Sequence, residues 1–438
     1  MSLPQPKPPS APSAAKTNSP ATVLFASLIG TTIEFFDFYI YATAAVIVFP
    51  RLFFPSSDPA AATLQSLATF AIAFFARPVG SAVFGHYGDR IGRKATLVAA
   101  LLTMGVSTVL IGLLPTYASI GTLAPLLLAL CRFGQGLGLG GEWGGAVLLA
   151  TENAPPGKRA WYGMFPQLGA PIGFFLSGGM FLLLSTMLTE ADFFSYGWRI
   201  PFLSSTVLVL VGLYVRLKIT ETPEFQKVLD KHERVKVPVV TVLTKHTRVL
   251  VLGTLGAMAT FVVFYLMTVF ALSWGTSALG YSRPTFLKLQ LFAVVFFGLT
   301  IPLSALLADR YGRSRTMLWV TVAIMLYGLA FAPLFRADSL VSVAIFLSGG
   351  LGLMGMTYGP LGTYLSELFP PAVRYTGASL TFNLGGILGA SLAPYVATWL
   401  ATHYGLGYVG AYMSVAALLT LIAIVLIERG RLHAAANA

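Results

Sequence analysis

Two acidic residues, Glu34 and Asp37, lie in the middle of the first long apolar segment of the chain, residues 22–50. A segment of this length can cross a bilayer, which takes about 20 apolar residues. Residues three positions apart share one face of a helix, so both carboxylates point into the same protein interior or cavity. Because each charge at the centre of a spanning helix costs about 2.5–3.5 kcal/mol, this pair requires a cationic partner, a proton or a function.

Arg132 lies at a similar depth in another apolar segment, residues 121–150. At 1.5 Å per residue, Arg132 is roughly 16 Å into its helix from one side, and the two acids are roughly 18–22 Å into theirs from the other. Three unpaired ions would together cost about 8–10 kcal/mol. We therefore expect an ion-pair network that joins Arg132 to Glu34 and Asp37; the alternative is a static salt bridge that only positions two helices.

Such a network would couple a proton to an anionic substrate. A buried carboxylate that loses its cation to an incoming anion is protonated more readily, so substrate and proton bind together. We predict Glu34 or Asp37 as the proton carrier and Arg132 as the substrate anchor. Glu142 is predicted to face the inner exit as a proton relay or as a gate partner of Arg77, with a purely structural role as the alternative. Four further residues are predicted to orient the substrate: Gln135, Tyr39, Tyr41 and Gln167.

The composition is that of a membrane protein with many spanning helices. Hydrophobic residues make up 56% of the 438 residues and charged residues 10%, against about 25% charged residues in soluble domains. Twelve segments are long and apolar enough to span a bilayer: 22–50, 61–84, 95–115, 121–150, 160–187, 198–217, 249–279, 285–308, 316–336, 340–365, 375–402 and 406–428.

The net charge of +12 reflects membrane topology. If the N-terminus lies in the cytoplasm, 21 of the 28 Lys and Arg residues fall on cytoplasmic segments, which is the positive-inside bias. This pattern predicts a multi-pass protein of the bacterial inner membrane with both termini in the cytoplasm. It gives no reason to expect a nucleic-acid partner.

Two sequence patterns occur once in each half of the chain. The segment GHYGDRIGRK at 85–94 corresponds to ALLADRYGRSR at 305–315, and ENAPPGKR at 152–159 corresponds to ELFPPAVR at 367–374. Such an internal repeat is typical of transporters whose two halves move about a site at the membrane midplane. We predict a disordered cytoplasmic tail at 1–21, six-helix halves at 22–217 and 249–428, a cytoplasmic linker at 218–248 and a second cytoplasmic tail at 429–438.

The repeated loop resembles the signature of the major facilitator superfamily, and the resemblance covers all twelve spans. Four stretches, at 33–39, 132–145, 197–202 and 221–225, resemble its metabolite:proton symporter branch, whose members carry shikimate, citrate, α-ketoglutarate, or proline and betaine. The resemblance implies an all-α fold of two pseudo-symmetric halves, with spans 1, 4, 7 and 10 around a central cavity. The osmosensing betaine carriers of this branch have a long heptad-patterned tail, whereas this chain stops at Ala438, so we expect neither osmosensing nor betaine as the substrate.

The resemblance also implies a cytoplasmic latch that involves the repeated loops. The residues assigned to this gate are Gly85, Asp89, Arg90, Gly92, Arg93, Lys94, Glu152, Asp309, Arg310, Arg313 and Arg77; the alternative is that these positive charges only set topology. No acid or base occupies the middle of spans 7, 10 or 11. The second half is therefore expected to offer neutral substrate contacts from Tyr265, Tyr358 and Asn383.

The function predicted from the sequence is proton-coupled import of a small organic anion or zwitterion by alternating access. The rivals are a proton-driven exporter of amphipathic compounds, which the deep Arg132 fits less well, and a membrane sensor without transport. No nucleophile–base or metal-ligand spacing is present, so we predict no enzyme activity, no metal and no cofactor other than the coupled proton. The expected partners are a small carboxylate or zwitterion, protons and membrane lipid, and the expected state is a monomer.

Overall fold

A computed structural model describes residues 20–56, 58–91, 93–218, 238–370 and 373–436. Within these ranges the side chains at 20, 23, 85–96, 218 and 431–436 lie outside the description. Among the described residues, eleven helices are long and apolar enough to cross a membrane, and the shorter apolar helix Leu97–Leu113 lies where the third span was predicted.

The spanning helices follow the predicted spans to within a few residues at most ends. They are α1 (Pro20–Ile47), α2 (Pro59–Ile91), α3 (Arg93–Leu113), α4 (Leu123–Glu152), α5 (Arg159–Met187), α6 (Ile200–Lys218), α7 (Thr247–Ser277), α8 (Arg283–Tyr311), α9 (Arg313–Leu334), α10 (Leu340–Ser366), α11 (Arg374–Tyr404) and α12 (Leu406–Ala436). The predicted all-α fold is confirmed. We call the membrane face at which α1 begins and α12 ends the terminal face.

Three of these helices are irregular near the middle of the protein. In α4, the segments Leu123–Gly140 and Trp143–Glu152 are separated by a turn at Gly141 and Glu142, where paired glycines weaken the helix. Both α7 and α11 contain one π-helical turn, at Leu266–Phe270 and Ile387–Ser391. Single π-helical turns inside α-helices are frequent at functional sites.

The two halves meet along α5 with α8 and along α2 with α11. Within the first half, α1 packs on α5, and α4 packs on α2 and α3. Close approach of α2 and α4 depends on glycine, because a Cβ on Gly80, Gly136 or Gly140 would overlap the backbone of the facing helix. These contacts fix the depth and orientation of the side chains on α1, α2 and α4.

The domain boundaries remain predictions. Part of the predicted linker forms a short helix, Pro238–Lys245, and α12 continues through most of the predicted second tail. Residues 1–19 and 219–237 lie outside the described residues.

Candidate functional site

The buried charged side chains of the described residues all belong to the first half of the chain. Three acids and three arginines are each at most 7% exposed: Glu34, Asp37, Glu142, Arg77, Arg132 and Arg216. They project from α1, α2, α4 and α6. In the described part of the second half, the buried polar side chains are neutral, as the sequence predicted.

Glu34 and Glu142 share one arginine, Arg216, near the end of α6. The Nη2 atom of Arg216 lies 3.0 Å from Oε1 of Glu34 and also contacts Oε1 of Glu142. The Nη1 atom donates a hydrogen bond of 2.7 Å to the backbone carbonyl of Leu97 in α3. Glu142 belongs to the turn that interrupts α4, so this ion cluster links that turn to α1, α3 and α6.

The ion pairs predicted from the sequence are absent from this conformation. We expected Arg132 to pair with Glu34 and Asp37, and Arg77 to pair with Glu142. Instead, Glu34 and Glu142 both pair with Arg216. The prediction was wrong because spacing along a helix gives the depth of a residue and leaves its neighbours on other helices open. Arg216 was one of the 21 Lys and Arg residues that the sequence analysis assigned to cytoplasmic segments.

Arg132 is held by aromatic rings and one amide. Its guanidinium carbon lies 4.0 Å from the centroid of the Tyr41 ring and 4.4 Å from that of Phe38. Its Nη1 donates a hydrogen bond of 2.9 Å to Oε1 of Gln135, whose Nε2 donates one of 2.8 Å to Thr108. Tyr41 and Gln135, which were predicted to orient substrate, thus hold Arg132 in this conformation.

Asp37 is fully buried, and neither of its carboxylate oxygens accepts a hydrogen bond from a described residue. The hydroxyl groups of Ser205 in α6 and Thr108 in α3 lie close enough to interact with it. A buried charge without a partner is costly, and binding a proton removes that cost. Asp37 therefore has the surroundings of a proton-binding carboxylate.

Arg77 lies where the two halves meet. Its guanidinium carbon is 4.5 Å from the ring centroids of both Phe38 and Phe74. Tyr265 and Tyr358 of the second half lie within its electrostatic range. Phe38 is consequently flanked by two guanidinium groups, those of Arg77 and Arg132, and the described residues provide no ion-pair partner for either.

A small cavity lies near Tyr39, on the side of Arg77 away from the terminal face. The lining residues are Tyr39, Ala42, Thr43, Phe174, Thr268, Val269, Leu272 and Gln290. Gln290 Nε2 donates a hydrogen bond of 2.7 Å to the carbonyl of Thr268, in the π-helical turn of α7. Tyr39, a predicted substrate contact, lines this cavity and is also within electrostatic range of Arg77.

At the terminal face, residues of the two halves are joined by direct contacts. The two carboxylate oxygens of Asp309 accept hydrogen bonds of 2.9 Å from the backbone N–H groups of Ala160 and Trp161. These groups lie in the first turn of α5, where a negative charge is favourable. Glu367 of the second half lies 3.8 Å from Arg159 of the first. Asp309 and Glu367 therefore bridge the halves, as a latch residue would.

Deeper contacts between the halves use two residues that were predicted to bind substrate. Gln167 Nε2 donates a hydrogen bond of 3.0 Å to the carbonyl of Tyr358, and Gln167 Oε1 accepts one of 3.1 Å from Trp143. Asn383 Nδ2 donates one of 2.8 Å to Ser81. In this conformation Gln167 and Asn383 join the halves, and their role toward substrate remains a prediction.

Some of the remaining gate residues have side chains that the structure describes, and others do not. Arg313 pairs with Glu367 at 3.1 Å and lies 3.7 Å from Asp309, whereas Arg310 and Glu152 are exposed. The first copy of the loop lies outside the residues whose side chains are described: Gly85, Asp89, Arg90, Gly92, Arg93 and Lys94.

The sequence analysis missed Arg216 as a site residue. The available signal was its position inside the predicted span 198–217, where an arginine requires a partner as much as Arg132 does. Closeness to the end of the span made a solvated loop position equally consistent with the pattern. Packing against α1 and α4 decides between these positions.

Comparisons with known proteins agree with this architecture. Residues 22–245 match the family model described as sugar (and other) transporter. The inner membrane metabolite transport protein YhjE of Escherichia coli strain K12 is 62% identical over 419 residues, which are 94% of this chain and 95% of that protein. The shikimate transporter of the same organism is 37% identical over 384 residues (86% and 87%), and its proline/betaine transporter is 33% identical over 414 residues (91% and 81%).

Solved structures share the fold at low sequence identity. The proton:xylose symporter XylE bound to 6-bromo-6-deoxy-D-glucose has a TM-score of 0.73 and 17% identity, over 94% of this chain and 95% of that one. The partially occluded inward-open conformation of the xylose transporter XylE from E. coli also has a TM-score of 0.73, with 15% identity and coverage of 94% and 98%.

The helical fold, the buried charges and these matches together define a multi-pass inner-membrane metabolite transporter, which is not an enzyme. The chain belongs to the sugar (and other) transporter family of the major facilitator superfamily. The resemblance noted in the sequence is confirmed.

Proposed function

We propose that this protein imports a small organic anion or zwitterion, a carboxylate metabolite, together with a proton by alternating access. Its terminal face would then lie in the cytoplasm, in agreement with the positive-inside bias. The observation that carries the proposal is the pairing of the buried charges. Among the described residues Arg77 and Arg132 have no ion pair, Glu34 and Glu142 share Arg216, and Asp37 has no cationic partner. The protein works as a monomer and uses no cofactor beyond the coupled proton.

The relatives support a carboxylate substrate by their names. One is a shikimate transporter and another a proline/betaine transporter, and all three compounds carry a carboxylate group. The structural neighbour XylE is named as a proton symporter. For this chain, the buried arginines provide the matching cationic groups, and the acids provide places for a proton.

In the proposed cycle, substrate and proton enter from the side opposite the terminal face while the contacts of Asp309 and Glu367 keep that face closed. Asp37, or one acid of the Glu34–Glu142 pair, takes the proton. Protonating Glu34 or Glu142 leaves a single carboxylate for Arg216 and loosens the link to the turn in α4. Because that turn packs against α11 of the second half, a proton on Glu142 would act on the gate at the terminal face.

Uptake into proteoliposomes tests the coupling. The Asp37→Asn and Glu34→Gln variants should lose accumulation against a gradient but keep exchange of substrate across the membrane, which needs no net proton movement. Glu190→Gln is the matched control, because Glu190 forms an exposed pair with Arg51. If both buried variants still concentrate substrate in response to a proton gradient, the proposed coupling is wrong.

A further inference from the structure

We propose that Arg77, rather than Arg132, binds the carboxylate of the substrate, and that the site takes a singly charged carboxylate together with one proton. This inference rests on the proposed function and specifies its substrate class and its charge balance. Sequence analysis had placed Arg77 in the gate.

Arg77 and Arg132 differ in how many of their N–H groups lack a hydrogen-bond acceptor. Arg132 is fully buried and donates hydrogen bonds to the side chain of Gln135 and to the carbonyl of Phe70, which leaves one of its three nitrogen atoms, Nη2, without a partner. Arg77 has no hydrogen-bond acceptor among the described residues, and its Nε is completely buried without a partner. A buried guanidinium group without an acceptor is an expensive arrangement, and a carboxylate ligand would supply the missing acceptors through two parallel hydrogen bonds.

Arg77 is also placed where a transported ligand must bind, because both halves contribute to its environment. Phe38 and Phe74 of the first half stack on its guanidinium group, while Tyr265 and Tyr358 of the second half lie within electrostatic range. A ligand held here contacts both halves, so its binding can bias their relative movement. Arg132 is less exposed to the second half: its ring and amide contacts come from the first half, and Tyr265 lies within its electrostatic range, whereas Arg77 has both Tyr265 and Tyr358 within range.

Tyr39 lies between Arg77 and the small cavity beside α7. It lines the cavity beside α7 and lies within electrostatic range of the Arg77 guanidinium group. Neutral polar groups of the same cavity, including Thr43, Thr268 and Gln290, are suited to the hydroxyl groups of a substrate. A hydroxylated carboxylate bound through its acid group at Arg77 would direct its hydroxyl groups toward these side chains.

The charge balance of the buried site selects a monoanion. With all six buried groups ionised, three positive charges balance three negative charges. One carboxylate ligand adds a negative charge, and one proton on an acid restores neutrality. A zwitterion with a proton leaves a net positive charge, and a dianion with one proton leaves a net negative charge. Because unbalanced charge inside a protein is costly, the closed, loaded state favours one monocarboxylate with one proton.

The first experiment measures ligand binding by the thermal stability of the purified protein. The probes are the monocarboxylates shikimate, quinate and lactate, the multiply charged succinate and citrate, and the zwitterions proline and glycine betaine. At least one monocarboxylate should raise the midpoint of unfolding of the wild-type protein more than any other probe. Arg77→Gln should weaken that binding at least tenfold and Arg77→Lys less, because lysine keeps the charge but loses the paired hydrogen bonds. Arg336→Gln is the matched control, since Arg336 is exposed and pairs with Asp338.

Three binding results would overturn the assignment. One is the absence of stabilisation of the wild-type protein by every monocarboxylate, and another is stronger stabilisation by a zwitterion or a dianion. The third is unchanged affinity in a folded Arg77→Gln or Arg77→Lys variant. Since the wild-type comparison needs no variant, the proposal can be refuted even if Arg77→Gln does not fold.

The second experiment measures uptake of the best probe into proteoliposomes with the membrane potential clamped by potassium and valinomycin. Uptake should follow the pH gradient and remain unchanged when the potential is varied, because a monoanion and a proton together carry no net charge. Proton-driven uptake that responds to the potential would overturn the charge balance while leaving proton coupling intact. Arg77-dependent binding without any response to the pH gradient would instead overturn the proposed function and the bound proton, and would support Arg77 as the carboxylate site.

Discussion

Removing Arg216 should destabilise this protein far more than removing an exposed arginine. The variant Arg216→Met leaves Glu34 and Glu142, which are 2% and 5% exposed, without their shared cation. Breaking a buried ion pair by removing one partner typically costs about 3–5 kcal/mol, because the other charge stays buried without compensation. The hydrogen bond from Arg216 to the carbonyl of Leu97 is lost as well, which adds about 1 kcal/mol. We expect a total loss of about 4–6 kcal/mol in the free energy of unfolding.

The loss should depend on the two acids. In the triple variant Glu34→Gln, Glu142→Gln, Arg216→Met, the whole cluster is neutral, and replacing a complete buried ion cluster is often close to neutral for stability. We therefore expect the triple variant to recover most of the stability that Arg216→Met loses. The control Arg51→Met removes an ion pair whose side chains are 61% and 70% exposed, for which about 0–1 kcal/mol is expected.

Unfolding by sodium dodecyl sulfate in mixed micelles, followed by tryptophan fluorescence or circular dichroism, gives these free energies. Two outcomes would refute the reasoning. The first is a loss for Arg216→Met no larger than that for Arg51→Met, which would mean that the cluster is not buried. The second is a triple variant as unstable as Arg216→Met, which would mean that packing of the arginine side chain, rather than charge, carries the effect.

Three further predictions concern other parts of the fold. Asp309→Asn removes a charged acceptor from the first turn of α5 and should shift the protein toward opening at the terminal face by about 1–2 kcal/mol; alkylation of cysteines introduced at that face measures the shift, and unchanged labelling would contradict it. Gly140→Ala should prevent close packing of α4 on α2 and abolish the yield of monodisperse protein, whereas Gly179→Ala, with no neighbour within 4 Å, should be tolerated; equal yields would disprove the packing argument. Gln290→Ala removes the donor to the carbonyl of Thr268 and should lower unfolding stability by about 1–3 kcal/mol in the same detergent titration, with a smaller loss counting against a role in holding the π-helical turn.

Most of the architecture followed from the sequence. Long apolar segments in a chain with few charges form spanning helices, since every backbone group in lipid must be paired within the segment. The internal repeat indicated two halves, and spans 7, 10 and 11 of the second half were expected to lack charge in their middle, which agrees with the absence of buried charged side chains from the described part of that half. The positions of the break in α4 and of the π-helical turns were not predicted, because glycine-rich spans are also compatible with continuous helices.

The site was only partly predictable. The sequence determined which charged residues lie deep in the membrane, Glu34, Asp37 and Arg132 among them, because depth follows from residue count along a helix. Which charges meet was decided by the tertiary structure, since a pairing depends on helix rotation and on the turn that brings Glu142 to Arg216. The assignment of Arg77 changed for the same reason: the sequence predicted a gate position, whereas the structure places this residue at the boundary between the halves. The direction in which a side chain points from a spanning helix is set by the neighbouring helices.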